Sequence, residues 1–197
     1  MRKWILRIFV WGFIFCFLAC SQFPREDSAD NQHGIKAEEN GGGIAPDQEY
    51  IMPRLLKQAE EEGKMVFLVI GSKRCSPCKR LNYYHHDSAV SRILSKYFLI
   101  QEFDAMNSVE GKELYKKYWK PGFPAWTILD PAGNVLGDSG IPGKGYNNIG
   151  YPEKEEDIDH YLKNIRTAAP SLTDQECKLL AGKLRSYGKK EDRPEDP

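Results

Sequence analysis

Two cysteines separated by two residues, where a predicted strand meets a predicted helix, constrain this chain more than any other feature. Cys75 and Cys78 stand in the run Gly71-Ser-Lys-Arg-Cys-Ser-Pro-Cys-Lys-Arg80, directly after the apolar segment Met65-Val-Phe-Leu-Val-Ile70. The unpaired N–H groups and the positive dipole end at a helix start stabilise a thiolate, which is the form of cysteine that attacks disulfides. The spacing therefore predicts a redox pair that closes and reopens by thiol–disulfide exchange.

Basic residues flank the pair on both sides: Lys73, Arg74, Lys79 and Arg80. Their positive charge is expected to favour the thiolate form of the first cysteine. A more stable thiolate favours the reduced form of the pair and so raises its reduction potential, which is the property of an oxidant.

The main alternative for the pair is one half of a zinc site. Structural zinc takes four ligands, commonly from two such cysteine pairs. The sequence has no second pair, and its other candidate ligands are His85, His86 and Cys177, so we expect no metal. A purely structural disulfide is less favoured, because a bridge across two residues restricts the unfolded chain little.

The start of the chain predicts export. Basic residues and no acidic ones accompany an apolar run from Ile8 to Ala19, and a positive start before a short apolar stretch is typical of a secretory signal. The run ends Phe17-Leu18-Ala19-Cys20, which resembles the lipobox of bacterial lipoproteins. That resemblance implies a lipid on Cys20 and a place in the bacterial cell envelope facing the periplasm, with Ser21 favouring the outer membrane.

An uncleaved anchor is the alternative, because the stretch Trp4–Ala19 approaches the length of about 17 residues that the shortest spanning helix needs. Either prediction places the rest of the chain outside the cytoplasmic membrane. Removal of the signal peptide, residues 1–19, would leave 25 basic and 28 acidic residues. This balance does not favour nucleic-acid binding, which calls for a basic stripe.

The remaining chain divides into a tether, a folded domain and a tail. Residues 20–46 are polar and glycine-rich, with too little apolar surface to offset the entropy of ordering them, so we expect a flexible tether. Residues 47–188 alternate between helix and strand patterns and form one predicted domain, long enough to bury a core. Residues 189–197 are highly charged and are expected to fray.

Periodicity within the domain predicts an α/β fold. Helix starts are expected at Asp47, at Asp87 or Ser88, and at Thr173, because each of these side chains can cap a helix. Gly63 should end the first helix. The predicted strands are 65–70, 98–103, 125–129 and a hairpin partner from Val135. Helices on both sides of such strands would form a sandwich around a mixed sheet.

The strand before the cysteines, the Cys-x-Pro-Cys-Lys run, and the segment Lys117-Tyr118-Trp-Lys-Pro-Gly122-Phe123-Pro124 before a later strand together resemble thioredoxin. The resemblance covers roughly Asp47 to Ile165. In its arrangement the chain is similar to the thioredoxin-domain lipoproteins of bacterial envelopes. It implies a thioredoxin-like fold, with a central mixed β-sheet sandwiched by helices and an added C-terminal helix.

The resemblance also implies a role for each matching residue. Cys75 corresponds to the exposed nucleophile that forms a mixed disulfide with the substrate, and Cys78 to the resolving thiol that releases it. Pro77 corresponds to the residue that fixes the turn and helps to set the redox potential. Pro124 corresponds to a cis-proline that faces the disulfide, and the backbone of Phe123 to groups that pair with extended substrate.

Three positions depart from the thioredoxin pattern. Arg74 stands where thioredoxins usually carry tryptophan, and Val69 stands where they place a buried carboxylate that helps to deprotonate the resolving thiol. The lysine partner of that carboxylate is not evident either. Release through Cys78 is therefore expected to be slower, unless Glu102 or Asp104 points inward and takes the place of the carboxylate.

The other notable residues have simpler predicted roles. His85 and His86 should be solvated or capping, and His160 should be exposed. Cys177 shares an apolar helix stripe and should be a buried, inert thiol. An aromatic surface for peptide substrates is a candidate role for Trp119, Trp126, Tyr83 and Tyr84, although Trp126, in a strand, is expected in the core and Trp119 at the rim of the active site. Residues 140–150 are expected to form a long loop flanking the site.

The leading prediction is a membrane-tethered thiol–disulfide oxidoreductase. It would act on protein disulfides or on a partner redox protein, as a monomer, with no cofactor beyond the redox-active Cys75–Cys78 disulfide. The Ser-Pro dipeptide favours a reductant and the basic residues favour an oxidant, so the direction stays open. Two alternatives remain: a non-catalytic binding or assembly lipoprotein on the same fold, and a metal-handling protein that binds a soft metal through the two thiols.

Overall fold

The structure, a computed structural model, describes residues 50–141 and 147–189. The predicted signal peptide, Cys20 and the tether lie outside these residues, as does the tail from residue 190 onward. No helix within the described ranges is both long enough and apolar enough to cross a membrane.

Helices and strands follow one another in the predicted order. They are α1 (Ile51–Glu62), β1 (Met65–Gly71), α2 (Ser76–His86), α3 (Ser88–Leu94), β2 (Phe98–Asp104), α4 (Val109–Lys117), β3 (Ala125–Leu129), β4 (Val135–Asp138), α5 (Glu155–Ala168) and α6 (Asp174–Gly188). The strands form one mixed sheet in the order β2-β1-β3-β4, with β2 parallel to β1 and β3 antiparallel to it. The predicted α/β sandwich is therefore confirmed.

The strand register brings the ends of β1 and β2 and the start of β3 together at one end of the sheet. Gly71, the last residue of β1, pairs with Asp104 at the end of β2. Ile70 pairs with Ala125 at the start of β3, so the residue before Ala125, Pro124, lies beside Gly71. The cysteine loop after β1 and the Pro124 loop before β3 therefore leave the sheet next to each other.

Alternating side chains of β1 divide the core into two layers. Phe67 and Val69 face one side of the sheet, where α2, α3, α5 and α6 supply the other apolar side chains. Val66, Leu68 and Ile70 face the opposite side, which α1 and α4 cover. Strand residues with apolar side chains on both faces are typical of a central strand buried from both sides.

The C-terminal helix α6 braces the helix that carries the cysteines. The Thr173–Glu176 capping box starts it as predicted, and Cys177, Leu180 and Leu184 are buried in the first layer. Asp87, the N-cap of α3, accepts hydrogen bonds from Lys183 at 2.7 Å and from the Tyr187 hydroxyl at 3.2 Å. Both donors are on α6, so this helix fixes the junction between α2 and α3.

Two histidines and one tyrosine that were expected at the surface are not there. His85 is only 3% exposed; its Nε2 lies 3.2 Å from the Tyr161 hydroxyl oxygen. Burial lowers the pKa of His85 to about 3, so the ring is neutral. His160 is half-buried and donates from Nε2 to the Asp138 carbonyl at 2.8 Å. Tyr84 is fully buried, whereas His86 is exposed as expected.

The start of α1 also differs from the prediction. The helix begins at Ile51, and its N-cap is Tyr50, which makes no side-chain capping bond. The predicted cap, Asp47, lies outside the described residues. The buried carboxylate of Glu110 on α4 caps the helix instead, accepting from the amides of Ile51 at 2.9 Å and Met52 at 2.7 Å. A residue distant in sequence thus satisfies N–H groups that a local side chain usually satisfies.

Replacing Glu110 by alanine should lower the free energy of unfolding by about 1–3 kcal/mol, because two amides at the start of α1 lose their charged acceptor. Chemical denaturation measures the change. The matched control is Glu61→Ala, since Glu61 is exposed and pairs with Lys57 at 3.8 Å, and its effect should stay within about 0.5 kcal/mol. Equal stability of the two variants would contradict the capping role.

Candidate active site

Cys75 and Cys78 form a disulfide at the start of α2, with their Cα atoms 5.2 Å apart. Cys75 is the N-cap of this helix, and its sulfur accepts a hydrogen bond from the Cys78 amide at 3.1 Å. Pro77 lies in the first turn, where its missing N–H costs the helix nothing. The same amide and the helix dipole would stabilise a thiolate on Cys75 after the disulfide opens.

The basic residues near the pair differ in how their charge is used. Arg80 makes an ion pair with Glu153, and its guanidinium lies over the Tyr151 ring, 4.8 Å from the ring centre. Lys73 and Arg74 are exposed. The charge of Arg80 is therefore largely balanced, and less positive charge acts on the sulfurs than the sequence alone indicates.

Gly71 allows the helix to approach the end of β1 closely. A Cβ atom at this position would lie 2.8 Å from the Cys78 sulfur and 3.3 Å from the Cys78 Cβ. No expectation from the sequence pointed to Gly71, although a glycine at the end of a buried strand is a known sign of close backbone approach. Only glycine leaves room for Cys78 in this position.

The Phe123–Pro124 peptide bond is cis, as the resemblance implied. The Asn148 side-chain amide donates to the carbonyl oxygens of Gly122 and Pro124, at 3.1 Å in both cases. These two bonds hold the backbone on either side of Phe123. Residues 147–150 of the predicted long loop therefore flank the cis-proline, and Asn148 is a second residue that sequence reasoning missed.

Asp104 and Glu102, the two carboxylates considered as acceptors of the Cys78 proton, lie in different surroundings. Asp104 accepts bonds from the amides of Met106 at 2.8 Å and Asn107 at 3.1 Å, so its carboxylate is occupied in the turn after β2. Glu102 pairs in register with Val69 on the neighbouring strand and is exposed at the edge of the described sheet. Neither is buried in the way that the thioredoxin pattern requires.

A cavity of about 370 Å³ nevertheless joins these carboxylates to the disulfide. Residues from the cysteine loop, α2 and β2 line it: Val69, Gly71, Ser72, Lys73, Cys78, Lys79, Asn82, Tyr83, Glu102, Phe103 and Asp104. Cys78 lines the cavity and Cys75 does not. Both cysteines are half-buried, so the second cysteine is reached by solvent through this cavity.

Of the four aromatic residues considered for a surface near the disulfide, Trp119 and Tyr83 are accessible, whereas Tyr84 and Trp126 are buried. Trp126 is fully buried, as predicted, and donates from Nε1 to the Gly150 carbonyl at 3.1 Å. Trp119 is 46% exposed, and Tyr83 lines the cavity beside Cys78. Within residues 50–141 and 147–189, no three His, Cys, Asp or Glu side chains lie together in a group that could hold a metal ion.

Replacing Gly71 by alanine should displace Cys78 and destabilise the oxidised protein by about 1–3 kcal/mol, because the added methyl group overlaps the sulfur. Gly182→Ala is the matched control: a Cβ at Gly182, inside α6, meets nothing within 4 Å, so alanine should be neutral or stabilise the helix by up to about 1 kcal/mol. Thermal unfolding of both variants tests this. A Gly71→Ala variant as stable as wild type would show that Cys78 does not need this space.

No family model and no curated protein matches the chain, but solved structures do. The chain is 32% identical to a thioredoxin from Thermus thermophilus, over 45% of this chain and 71% of that one, with a TM-score of 0.40. It is 33% identical to a candidate disulphide isomerase from Bacteroides thetaiotaomicron, over 44% and 71%, with a TM-score of 0.39. A disulphide isomerase from Xylella fastidiosa Temecula1 is 20% identical over 68% and 87%, with a TM-score of 0.42.

The mixed sheet and the disulfide at the start of α2 are features that the resemblance to thioredoxin implied. The cis bond before β3, beside the end of β1, is another. The chain belongs to the thioredoxin-like superfamily of thiol–disulfide oxidoreductases.

Proposed function

We propose that this protein is a membrane-tethered oxidoreductase that exchanges disulfides with extracytoplasmic proteins, or with a partner redox protein, through Cys75 and Cys78. The observation that carries the proposal is the Cys78 amide donating to the Cys75 sulfur at the start of α2. A sulfur in this position is stabilised as a thiolate and therefore serves as both nucleophile and leaving group.

The geometry supports a two-step exchange. In the reducing direction, the Cys75 thiolate attacks a substrate disulfide, and one substrate sulfur leaves as a thiolate while a mixed disulfide forms. Cys78 then loses its proton and attacks the Cys75 sulfur, which releases the reduced substrate and restores the Cys75–Cys78 bond. The cavity offers water and the Glu102 carboxylate as acceptors for the Cys78 proton, in place of the buried carboxylate that Val69 replaces.

Substrate binding is assigned to the Pro124 side of the disulfide. Asn148 fixes the carbonyls on both sides of Phe123, and the Phe123 ring packs against Tyr115 with ring centres 4.9 Å apart. A backbone held in this way is suited to pair with an extended peptide. Trp119, 46% exposed on the segment before this loop, would add an aromatic contact.

The membrane tether rests on the sequence pattern that ends at Cys20. A lipid on this cysteine would hold the domain on the periplasmic face of a bacterial membrane, with residues 20–46 as the spacer. The full chain should therefore fractionate with membranes, and the intact mass of the purified protein should match a chain that begins at Cys20 and carries a lipid. A mass that still includes residues 1–19 and no lipid would favour the uncleaved anchor instead.

Single cysteine substitutions test the activity in an insulin-reduction assay on the full chain. Cys75→Ser and Cys78→Ser should each lower turnover at least about 100-fold. Cys78→Ser should also accumulate a mixed disulfide with the substrate on Cys75, because the resolving step is lost. Cys177→Ala is the control: Cys177 is buried in the core and its burial raises the pKa of its thiol, so turnover should change by less than about twofold.

Turnover of both active-site variants at the wild-type rate would overturn the proposal. That result would favour the non-catalytic binding protein on the same fold, for which the missing carboxylate at Val69 is the supporting observation.

A further inference from the structure

The Cys75–Cys78 disulfide is accessible from a second side. The cavity beside β2 touches Cys78 but not Cys75, whereas the Pro124 loop lies beside Gly71 on the opposite side of β1. Gly71 also lines the cavity, and the Cys78 sulfur lies 2.8 Å from the place where a Gly71 Cβ would be. With no side chain at Gly71, this sulfur is left uncovered towards the cavity.

Access from this second side would allow a thiolate to attack Cys78 rather than Cys75. A thiolate attacks one sulfur of a disulfide and expels the other, and the bond breaks most readily when the expelled thiolate is stable. Attack at Cys78 would expel Cys75, whose sulfur already accepts the Cys78 amide hydrogen bond at the N-cap of α2. The attacking sulfur has to reach Cys78 without crossing Cys75, and the cavity offers such a route.

The size and charge of the cavity limit what enters. Its volume of about 370 Å³ lies within the range of about 300–1,000 Å³ that small-molecule sites occupy. Two lysines, Lys73 and Lys79, and two carboxylates, Glu102 and Asp104, lie in its wall. Hydrogen bonds from Asn107 and from nearby amides lower the pKa of Asp104, so its charge persists at neutral pH. A wall with both signs of charge suits a ligand that also carries both.

Taking the proposed oxidoreductase activity as its basis, we infer that the cavity admits a low-molecular-weight thiol with both an ammonium and a carboxylate group, about the size of cysteine. This thiol reduces the protein by attacking Cys78. Its thiolate bonds to the Cys78 sulfur, the Cys75–Cys78 bond breaks, and Cys75 leaves as a thiolate. A second molecule of the thiol attacks the adduct, which yields the small-molecule disulfide and the Cys78 thiolate.

The cavity then serves a reaction separate from disulfide exchange with proteins. Electrons enter at Cys78 from a small thiol on the β2 side, and they leave from Cys75 to a protein on the Pro124 side. The two sides of one disulfide then serve two different partners, and neither partner has to leave before the other binds.

The test compares two reductants on the oxidised full chain: cysteine, and a reduced dithiol peptide too large for the cavity. Acid quenching early in the reaction with cysteine, followed by peptide mass mapping, should find the cysteine adduct on Cys78. Asn82→Phe fills the cavity from α2, one turn after Cys78, and should slow reduction by cysteine about tenfold, a clearly larger factor than its effect on reduction by the peptide, which attacks Cys75 from the Pro124 side. His86→Phe, exposed on the same helix and outside this cavity, is the matched control and should change neither rate.

Charge selection is tested with cysteamine and 3-mercaptopropionate, which each lack one of the two charged groups of cysteine. Each rate is divided by the rate of the same thiol with glutathione disulfide, which removes differences in intrinsic reactivity. The normalised rate should be highest for cysteine by about threefold or more. Equal normalised rates would overturn the assignment of a zwitterionic ligand.

An adduct on Cys75, or an unchanged rate with cysteine in Asn82→Phe, would overturn the inference. The mapped adduct in the wild-type chain decides the question even if Asn82→Phe fails to fold. Reduction by the peptide without any adduct on Cys78 would leave the proposed oxidoreductase standing and remove the small-thiol route. Failure of both reductants to open the disulfide would instead overturn the proposed function itself.

Discussion

The hydrogen bond from the Cys78 amide to the Cys75 sulfur links the chemistry of this protein to its fold. It exists only because α2 begins directly after Cys75 and is held firmly against the sheet. Leu81, Tyr84 and His85, on the inner face of α2, are all buried. Further along, Asp87 is bound by Lys183 and Tyr187 of the C-terminal helix. The helix that stabilises the thiolate is thus fixed along its length, so little reorganisation is needed when charge develops on Cys75.

The position of the active site also depends on one end of the sheet. Three neighbouring strands end or begin there, at Gly71, Asp104 and Pro124. Gly71 lets Cys78 approach the strand, and its lack of a side chain also leaves the cavity open. One small residue therefore accounts both for the position of the resolving cysteine and for its access to solvent, while Asn148 orders the Pro124 loop on the other side.

Much of this arrangement could be predicted because it depends on residues close together in the chain. The apolar run of β1, the Cys-x-Pro-Cys spacing, and the caps at Asp87 and Thr173 are local patterns, and the structure shows each of these elements. Contacts between distant segments could not be predicted. Glu110 caps a helix 59 residues before it, and no local pattern points to that contact.

The error at His85 has a different origin. A signal was present, because Leu81, Tyr84 and His85 stand at positions i, i+3 and i+4 and so share one face of a helix. Two adjacent histidines before an aspartate favoured a solvated break, yet α2 continues to His86 and places only the second histidine outside. The core tolerates the first because its ring stays neutral and lies beside the Tyr161 hydroxyl.

The surroundings of Cys78 could not be predicted either, because they depend on contacts between distant segments. Val69 showed that the usual base is absent, but only the sheet register placed Glu102 next to Val69, and only the three-dimensional structure placed Glu102 in the wall of the Cys78 cavity. In place of a buried carboxylate at Val69, this protein has a cavity that reaches the second cysteine and an exposed carboxylate, Glu102, in its wall.

The rate of alkylation of Cys75 as a function of pH, in the reduced full chain, measures directly how far the start of α2 stabilises the Cys75 thiolate. Iodoacetamide reacts with the thiolate, so mass mapping of the Cys75 peptide reports how much of this residue is ionised at each pH. We expect the rate to reach half of its maximum at a pH well below the pKa of an ordinary cysteine, about 8.5, while Cys177 stays unreactive in the folded protein. A half-maximum at or above the ordinary pKa would show that the helix start does not activate this sulfur.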